Sequence, residues 1–268
     1  FNEMSSSLKE YVEDVKRMTA EQERLGAELS VATRIQADML PSVFPAFPER
    51  TEFDIYASMT PAREVGGDFY DFFLIDEDHL GMVMADVSGK GVPAALFMVI
   101  TKTLIKNHAL SGEGPAEILT AVNRQLCENN DEMLFVTAWI GILTISTGAL
   151  STADAGHEYP AIKRSDSTEF ELIEEEHFAP LGTMPDNEYA PYDLTIQKGD
   201  KLFLYTDGVP DARNSEKEKF GIDRMLTSIS SHADQSPEEL LTATKADLEK
   251  FIGGWEQFDD ITMMCVEY

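Results

Sequence analysis

Four short acidic motifs, widely separated along the chain, are the feature that most restricts how this protein can fold. Each contains an aspartate at the end of, or just before, an apolar run typical of a β-strand. The motifs read VGGDFYD at 65–71, ADVSGKG at 85–91, YTDGV at 205–209 and FDDIT at 258–262. Carboxylates at strand ends can converge on one point, where their oxygens suit a hard cation such as Mg²⁺ or Mn²⁺. The sequence therefore predicts a carboxylate-bound metal centre.

The overall charge narrows the range of partners. The 268 residues include 49 acidic and 21 basic side chains, for a net charge of -28. We expect no nucleic-acid partner, because phosphate backbones need Lys and Arg for neutralisation. We also expect no membrane contact by this fragment, since it lacks an apolar run of about 18 residues and repels anionic lipid. At 43% hydrophobic, the chain can bury a substantial core.

Two cysteines, Cys127 and Cys265, show no metal or disulfide spacing, which fits a reducing cytoplasm. The chain begins at Phe1 without a methionine. We therefore expect a fragment of something longer: the cytoplasmic part of a membrane-anchored sensor.

The first forty residues carry a heptad pattern without a proline. Ten of the twelve a and d positions are apolar, which is typical of a coiled coil. The a positions are Phe1, Leu8, Val15, Gln22, Leu29 and Gln36, and the d positions are Met4, Tyr11, Met18, Leu25, Ala32 and Met39. We predict a parallel homodimeric coiled coil over 1–41, ended by Pro41. The alternative is one amphipathic helix packed on its own domain.

The remainder, 42–268, reads as one α+β domain. Short strand patterns interrupted by pairs of helices predict mostly antiparallel sheets. The predicted strands are 53–59, 68–75, 80–87, 135–145, 149–155, 161–163, 170–173, 192–196, 201–205 and 261–266. The predicted helices are 93–107, 115–127, 222–230 and 237–251.

The aspartates of the four motifs suggest phosphoryl-transfer chemistry. Asp86 and Asp207 each follow an apolar run and precede a glycine-containing turn, while Asp68 follows two glycines and Asp259–Asp260 precede the last strand. Carboxylates this close would repel, so they need cations or raised pKa values. Two ions about 3.5–4 Å apart could hold a water and activate it to attack phosphorus. No nucleophilic side chain is then required.

For other polar residues, the sequence gives weaker indications of a functional role. His157, in AGH at 155–157, is a candidate general acid, although a loop histidine is more often at the surface. Asp71, Asp76 and Asp78 are more typical of solvated turns than of ligands. The stretch 88–91 lacks the spacing of a phosphate-binding loop and is interpreted as a turn into the next helix.

Taken together and in this order, the motifs resemble those of PPM-family metal-dependent Ser/Thr protein phosphatases, in particular the bacterial SpoIIE/RsbU-type branch. The resemblance extends over 28–268. It implies an αββα sandwich, in which helix pairs flank two antiparallel sheets and the coiled-coil helix precedes them. The opening residues 1–8 are in addition similar to the end of a HAMP signalling module.

This resemblance implies two Mn²⁺ or Mg²⁺ ions. The implied metal ligands are Asp68, Asp86, the carbonyl of Val87, Asp207 and Asp259. Asp86 would bridge both ions, Asp207 and Asp259 would bind one, and Asp68 and Val87 would serve the other. Asp86, Asp207 and Asp259 are accordingly the catalytic candidates. Asp260, which would orient its neighbour, and His157 are further candidates.

Two loops depart from the branch pattern. PDA stands at 210–212 where the branch usually has TEA, and EYP stands at 158–160 where NPP is common. Neither departure removes a ligand. The phosphate-binding arginine of eukaryotic relatives has Arg63 as a candidate.

The resemblance implies a phosphatase that removes phosphate from serine or threonine of a regulatory protein, namely a STAS-type anti-sigma-factor antagonist. The dimeric coiled coil and the helices 93–107 and 115–127, which resemble the switch helices of this branch, would regulate it. The main alternative is a non-catalytic dimeric signalling adaptor with a degenerate phosphatase domain. A second alternative, a two-metal enzyme on another phosphate ester such as a nuclease, is disfavoured by the negative charge.

Overall fold

A computed structural model describes residues 2–128, 130–174 and 176–268, apart from the side chains of residues 2–10 and Leu25. Two compact units are present, Phe1–Met39 and Leu40–Tyr268. The first unit is the single helix α1, Asn2–Met39. The predicted long helix is therefore found over its described residues. The heptad positions Phe1, Met4, Leu8 and Leu25 lie outside the described side chains, and the coiled coil stays a prediction.

The second unit consists of ten strands and four helices among its described residues. In chain order they are β1 (Asp54–Thr60), β2 (Phe69–Leu74), β3 (His79–Val87), α2 (Val92–Leu110), α3 (Pro115–Cys127), β4 (Val136–Thr144), β5 (Ala149–Ala155), β6 (Ala161–Lys163), β7 (Glu171–Leu172), β8 (Tyr192–Thr195), β9 (Lys201–Tyr205), α4 (Gly221–Ser231), α5 (Pro237–Ile252) and β10 (Ile261–Glu267). One sheet has the order β1-β10-β9-β6-β7 and the other β2-β3-β4-β5-β8. Every pairing within them is antiparallel. The predicted pair of antiparallel sheets with flanking helices is confirmed.

The alternation of side chains along β9 explains why the first sheet lies between two hydrophobic cores. In a strand, successive side chains point to opposite faces of the sheet. Leu202 and Leu204 belong to the core shared with the second sheet, whereas Phe203 and Tyr205 belong to a core with α4 and α5. Because the strands of this sheet are apolar on both faces, it must be covered on both sides.

The helix ends follow ordinary capping rules. Proline occupies the first turn of α2, α3 and α5, where its missing N–H leaves no bond unmade. Ser236 and Glu239 form a reciprocal capping box at the start of α5. Helices α2 and α3 pack on the sheet that contains β3 and β5, and α5 packs on β1 and β10.

Among the residues described, none of the helices combines the length and the apolar character needed to cross a membrane.

Candidate metal centre

The register of β2 and β3 puts Asp68 and Asp86 side by side. Phe69 pairs with Ala85 across the two antiparallel strands, so the residue before Phe69 lies opposite the residue after Ala85. Burial raises the pKa of the Asp68 carboxyl group, and the charge of Asp86 raises it further, as expected for neighbouring carboxylates. Asp68 is only 2% exposed. One sheet therefore contributes a close carboxyl pair at its edge.

The other sheet contributes Asp207 and Asp259 from two adjacent strands. Asp207 follows β9 and Asp259 precedes β10, and the N–H of Thr206 donates to the carbonyl of Thr262 at 3.1 Å. The loops approach closely at Gly208, where an added Cβ would lie 1.8 Å from the carbonyl oxygen of Asp260. Glycine is thus required there for contact between the loops.

Burial and the charges of neighbouring carboxylates raise the pKa values of three of these groups. Burial raises the pKa of Asp86 to about 7, and the charges of Asp207 and Asp259 act in the same direction. Burial also raises the pKa of Asp68 well above its usual range, with a further contribution from Asp86. The pKa of Asp207 is raised by burial and then by Asp259. Such mutual repulsion is what divalent cations would relieve.

Two threonine hydroxyls orient Asp68, and the sequence motifs did not single them out. Thr206 and Thr262 both donate to Oδ2 of Asp68, at 2.6 and 2.5 Å. Both hydroxyl-bearing residues are fully buried. Both are members of the YTDGV and FDDIT motifs, one residue before Asp207 and two residues after Asp260, and this position was the available signal. Their contacts fix the carboxylate in one orientation.

Asp260 organises the backbone around the site. Its Oδ1 accepts the N–H of Ala62 at 2.8 Å, and its Oδ2 accepts those of Gly67 at 2.8 Å and Asp68 at 3.3 Å. Gly66 makes this possible, because a Cβ there would lie 2.3 Å from Oδ2 of Asp260. Of the two neighbouring aspartates, Asp259 is thus the one whose carboxylate is more accessible, while Asp260 supports the loop that contains Asp68.

The carbonyl of Val87 lies at the same edge. A Cβ on Gly67 would be 2.7 Å from this oxygen, so the loop before β2 passes directly over the end of β3. The structure thus brings together all five predicted ligand residues: Asp68, Asp86, Val87, Asp207 and Asp259.

The donor chemistry of this group fits a hard divalent cation. Its donors are oxygen atoms of carboxylates and one carbonyl, the ligands that Mg²⁺ and Mn²⁺ prefer. Within residues 2–128, 130–174 and 176–268, no three Asp, Glu, His or Cys side chains already have the spacing to hold one ion.

His157 is buried, and its expected surface position is wrong. Nδ1 of His157 lies 3.1 Å from the hydroxyl of Thr137, and the backbone N–H of His157 donates to Oδ2 of Asp154 at 3.0 Å. Burial lowers the pKa of the imidazole to about 4. A histidine that is neutral at pH 7 is a poor general acid, so its environment favours a structural role. Burial raises the pKa of the neighbouring Glu158, and the charges of Asp207 and Asp211 raise it further.

Asp71 is not the solvated turn residue that its sequence context indicated. It lies within β2, is 2% exposed, and accepts from the ammonium of Lys102 at 2.6 Å. Sequence reasoning missed it because its partner is on α2, far away in the chain. Arg63, the candidate phosphate ligand, is exposed on the loop before β2.

The fold that carries this site is the PP2C phosphatase fold. The SiaA-PP2C domain of Pseudomonas aeruginosa superposes with a TM-score of 0.81 at 23% identity, covering 93% of this chain and 99% of that domain. Residues 76–268 match the family model of stage II sporulation protein E. The chain belongs to the SpoIIE family.

Several relatives resemble the chain in sequence, and two of them match most of its length. Protein IcfG of Synechocystis sp. is 32% identical over 94% of this chain, which spans 44% of that protein's length. The phosphoserine phosphatase RsbU of Bacillus subtilis is 29% identical, covering 91% of this chain and 71% of RsbU.

Proposed function

We propose that the unit Leu40–Tyr268 is a metal-dependent protein-serine/threonine phosphatase. One observation carries the proposal: two sheets bring Asp68, Asp86, Asp207 and Asp259 to one edge, where burial and mutual repulsion raise the pKa values of three of them. Membership of the SpoIIE family and the similarity to RsbU agree with it.

The chain's own residues would hold and orient the reaction centre. Asp86, Asp207 and Asp259 would bind the cations, and Asp68 and the carbonyl of Val87 would complete the ligand set. Thr206, Thr262 and Asp260 keep Asp68 in place through the contacts described above. Bound Mn²⁺ or Mg²⁺ would polarise water and neutralise phosphate charge.

A covalent route through cysteine is not supported. Burial raises the pKa of the Cys265 thiol to about 12 and also raises that of Cys127. A reactive thiol needs a lowered pKa. Water is therefore the expected nucleophile.

The substrate we infer is a phosphorylated STAS-type regulatory protein. The support is the similarity to RsbU, named a phosphoserine phosphatase, and the motif pattern of the same branch. A net charge of -28 disfavours a nucleic acid as substrate.

Purified protein should release phosphate from p-nitrophenyl phosphate and from a phosphoserine-containing STAS protein when Mn²⁺ or Mg²⁺ is added. Asp86→Asn and Asp207→Asn should abolish release, whereas Asp166→Asn, in an exposed turn, should not. A folded, metal-saturated wild type that releases no phosphate would favour the non-catalytic adaptor.

We further infer that α1 forms a homodimer that regulates the phosphatase. The predicted seam residues Tyr11 and Met18 are 68% and 67% exposed, an unfavourable state for large apolar side chains unless a partner helix covers them. Helix α2 is separated from β3 by the turn 88–91 alone, so a displacement of α2 would act on Asp86.

Deleting residues 1–30 should convert a dimer to a monomer, as measured by light scattering, and should change the Mn²⁺ dependence of the phosphatase activity. A monomeric full-length chain would contradict this.

A further inference from the structure

Lys90 connects the two sheets at the metal centre. It lies in the turn 88–91, where Gly89 and Gly91 both have positive φ, 88° and 81°. Its Nζ is 3.0 Å from Oδ1 of Asp259 and donates to the carbonyl of Phe258. The turn that follows Asp86 is therefore fastened to the loop that precedes β10.

An aromatic ring holds the ammonium from one side. Nζ of Lys90 lies 4.3 Å from the centroid of the Phe258 ring, within the range of a cation–π contact. The guanidinium of Arg213 lies 5.8 Å from the same ring. Two cations therefore lie over the ring of Phe258, which directly precedes the candidate ligand Asp259.

The ammonium of Lys90 has bonding capacity left. It carries three N–H donors, of which the described contacts use two, to Asp259 and Phe258. The side chain remains 30% exposed. By contrast, the nearby ammonium of Lys219 is engaged by both carboxylate oxygens of Asp211, at 2.7 Å each.

A phosphate monoester is attracted by positive side chains near this edge, in addition to the cations that the carboxylates would bind. The rest of the chain is strongly acidic, with a net charge of -28, so a lysine close to the candidate ligands is a local source of positive charge. The charge of Lys90 also reaches Asp207, where it opposes the rise in pKa that burial causes. Lys90 therefore lies at the same edge of the sheets as the candidate ligands Asp207 and Asp259.

We propose that Lys90 binds a phosphoryl oxygen of the substrate through its remaining N–H, while Phe258 and Asp259 hold the ammonium in place. This rests on the proposed phosphatase function and assigns to a lysine the anion recognition for which the sequence had offered Arg63.

The test compares Lys90→Gln, Lys90→Arg and Phe258→Leu with the wild type. Lys198→Gln is the charge-matched control. Lys198 lies in the exposed turn before β9, whereas Asp207 follows the other end of that strand. The measurements are KM and kcat with p-nitrophenyl phosphate, the inhibition constant of inorganic phosphate, and binding of inorganic phosphate to the Mg²⁺-loaded protein by calorimetry. Binding of Mn²⁺ alone is measured separately.

We expect Lys90→Gln to weaken phosphate binding and to raise KM by about tenfold, the effect of losing one charge-assisted hydrogen bond. Lys90→Arg should retain most of the phosphate affinity of the wild type. Phe258→Leu should weaken phosphate binding and raise KM by less than Lys90→Gln does. Lys198→Gln should change neither constant.

The proposal is overturned if Lys90→Gln binds inorganic phosphate as tightly as the wild type. It is also overturned if Lys90→Gln alters Mn²⁺ affinity alone, since Lys90 would then only screen Asp259. Both results require an active wild type, so they are distinct from a failure of the phosphatase proposal, in which the wild type itself is inactive. Phe258→Leu, at an exposed position, provides the same comparison if Lys90→Gln does not fold.

Discussion

The carboxylate of Asp71 lies 2.6 Å from the ammonium of Lys102, in the contact between β2 and α2, and these side chains are 3% and 11% exposed. Lys106, one turn further along α2, lies 3.6 Å from the same carboxylate but is 39% exposed. The pair fastens the helix that follows the Asp86 turn to the strand that begins beside Asp68. It therefore holds α2 in register with the candidate metal centre.

Replacing Lys102 with methionine should destabilise the domain by roughly 3 kcal/mol, because the Asp71 carboxylate would stay buried without its closest cation. The free energy of unfolding in urea measures this. Lys106→Met is the matched control and should lower stability by less than about 1 kcal/mol, as expected for a partly exposed pair. Equal losses of stability in the two variants would show that burial does not make the Lys102–Asp71 pair more important than the Lys106–Asp71 pair.

Asp86→Asn should stabilise the protein when metal is chelated and abolish its response to metal. The substitution removes one of several buried, mutually repelling carboxyl groups, so we expect a gain of roughly 0.5 to 2 kcal/mol, as is common for strained functional sites. Mn²⁺ should raise the melting temperature of the wild type and not that of the variant, because only the wild type binds it tightly. Thermal melts with chelator and with Mn²⁺ check both expectations. A variant that is less stable than the wild type in chelator would contradict the repulsion argument.

Gly208→Ala should disrupt contact between the two ligand loops. The added Cβ would lie 1.8 Å from the carbonyl oxygen of Asp260, and backbone must move to relieve such an overlap. We expect a loss of roughly 1 to 3 kcal/mol in stability together with weaker Mn²⁺ binding. Gly26→Ala is the control, since a Cβ there meets nothing within 4 Å. Unchanged Mn²⁺ affinity in Gly208→Ala would separate this loop from the metal centre.

His157 should make the domain sensitive to acid. Burial lowers the pKa of its imidazole from 6.5 to about 4, so below pH 6.5 the unfolded chain takes up a proton that the folded domain does not. Stability should therefore fall as the pH falls from about 6.5 to 4, by up to about 3 kcal/mol.

The comparison with His157→Gln isolates this contribution. The carboxyl groups of the metal centre titrate in both proteins, so their effect cancels in the difference. The free energy of unfolding is measured at several pH values in this window. As the pH falls, it should decrease less steeply for the variant than for the wild type. Parallel curves would show that His157 is not the group that titrates.

Local patterns in the sequence determined the secondary structure and the composition of the candidate site. The two-residue alternation of Leu202 to Tyr205, the prolines that begin α2, α3 and α5, and the glycine turns are all local signals, and the predicted elements agree with the structure within a few residues. The aspartates that precede or follow apolar runs were recognisable for the same reason, because strand ends meet at sheet edges.

Tertiary structure alone decided the partners of these residues. The accessible carboxylate of Asp259 and the backbone contacts of Asp260 depend on the loop 62–68, which is nearly two hundred residues away. Burial of Asp71 depends on Lys102, burial of His157 on the packing of the AGH loop, and the position of Lys90 on Phe258. A sequence specifies which groups can bind or ionise, but distance and desolvation, which set hydrogen bonds and pKa values, arise only when the two sheets pack against each other.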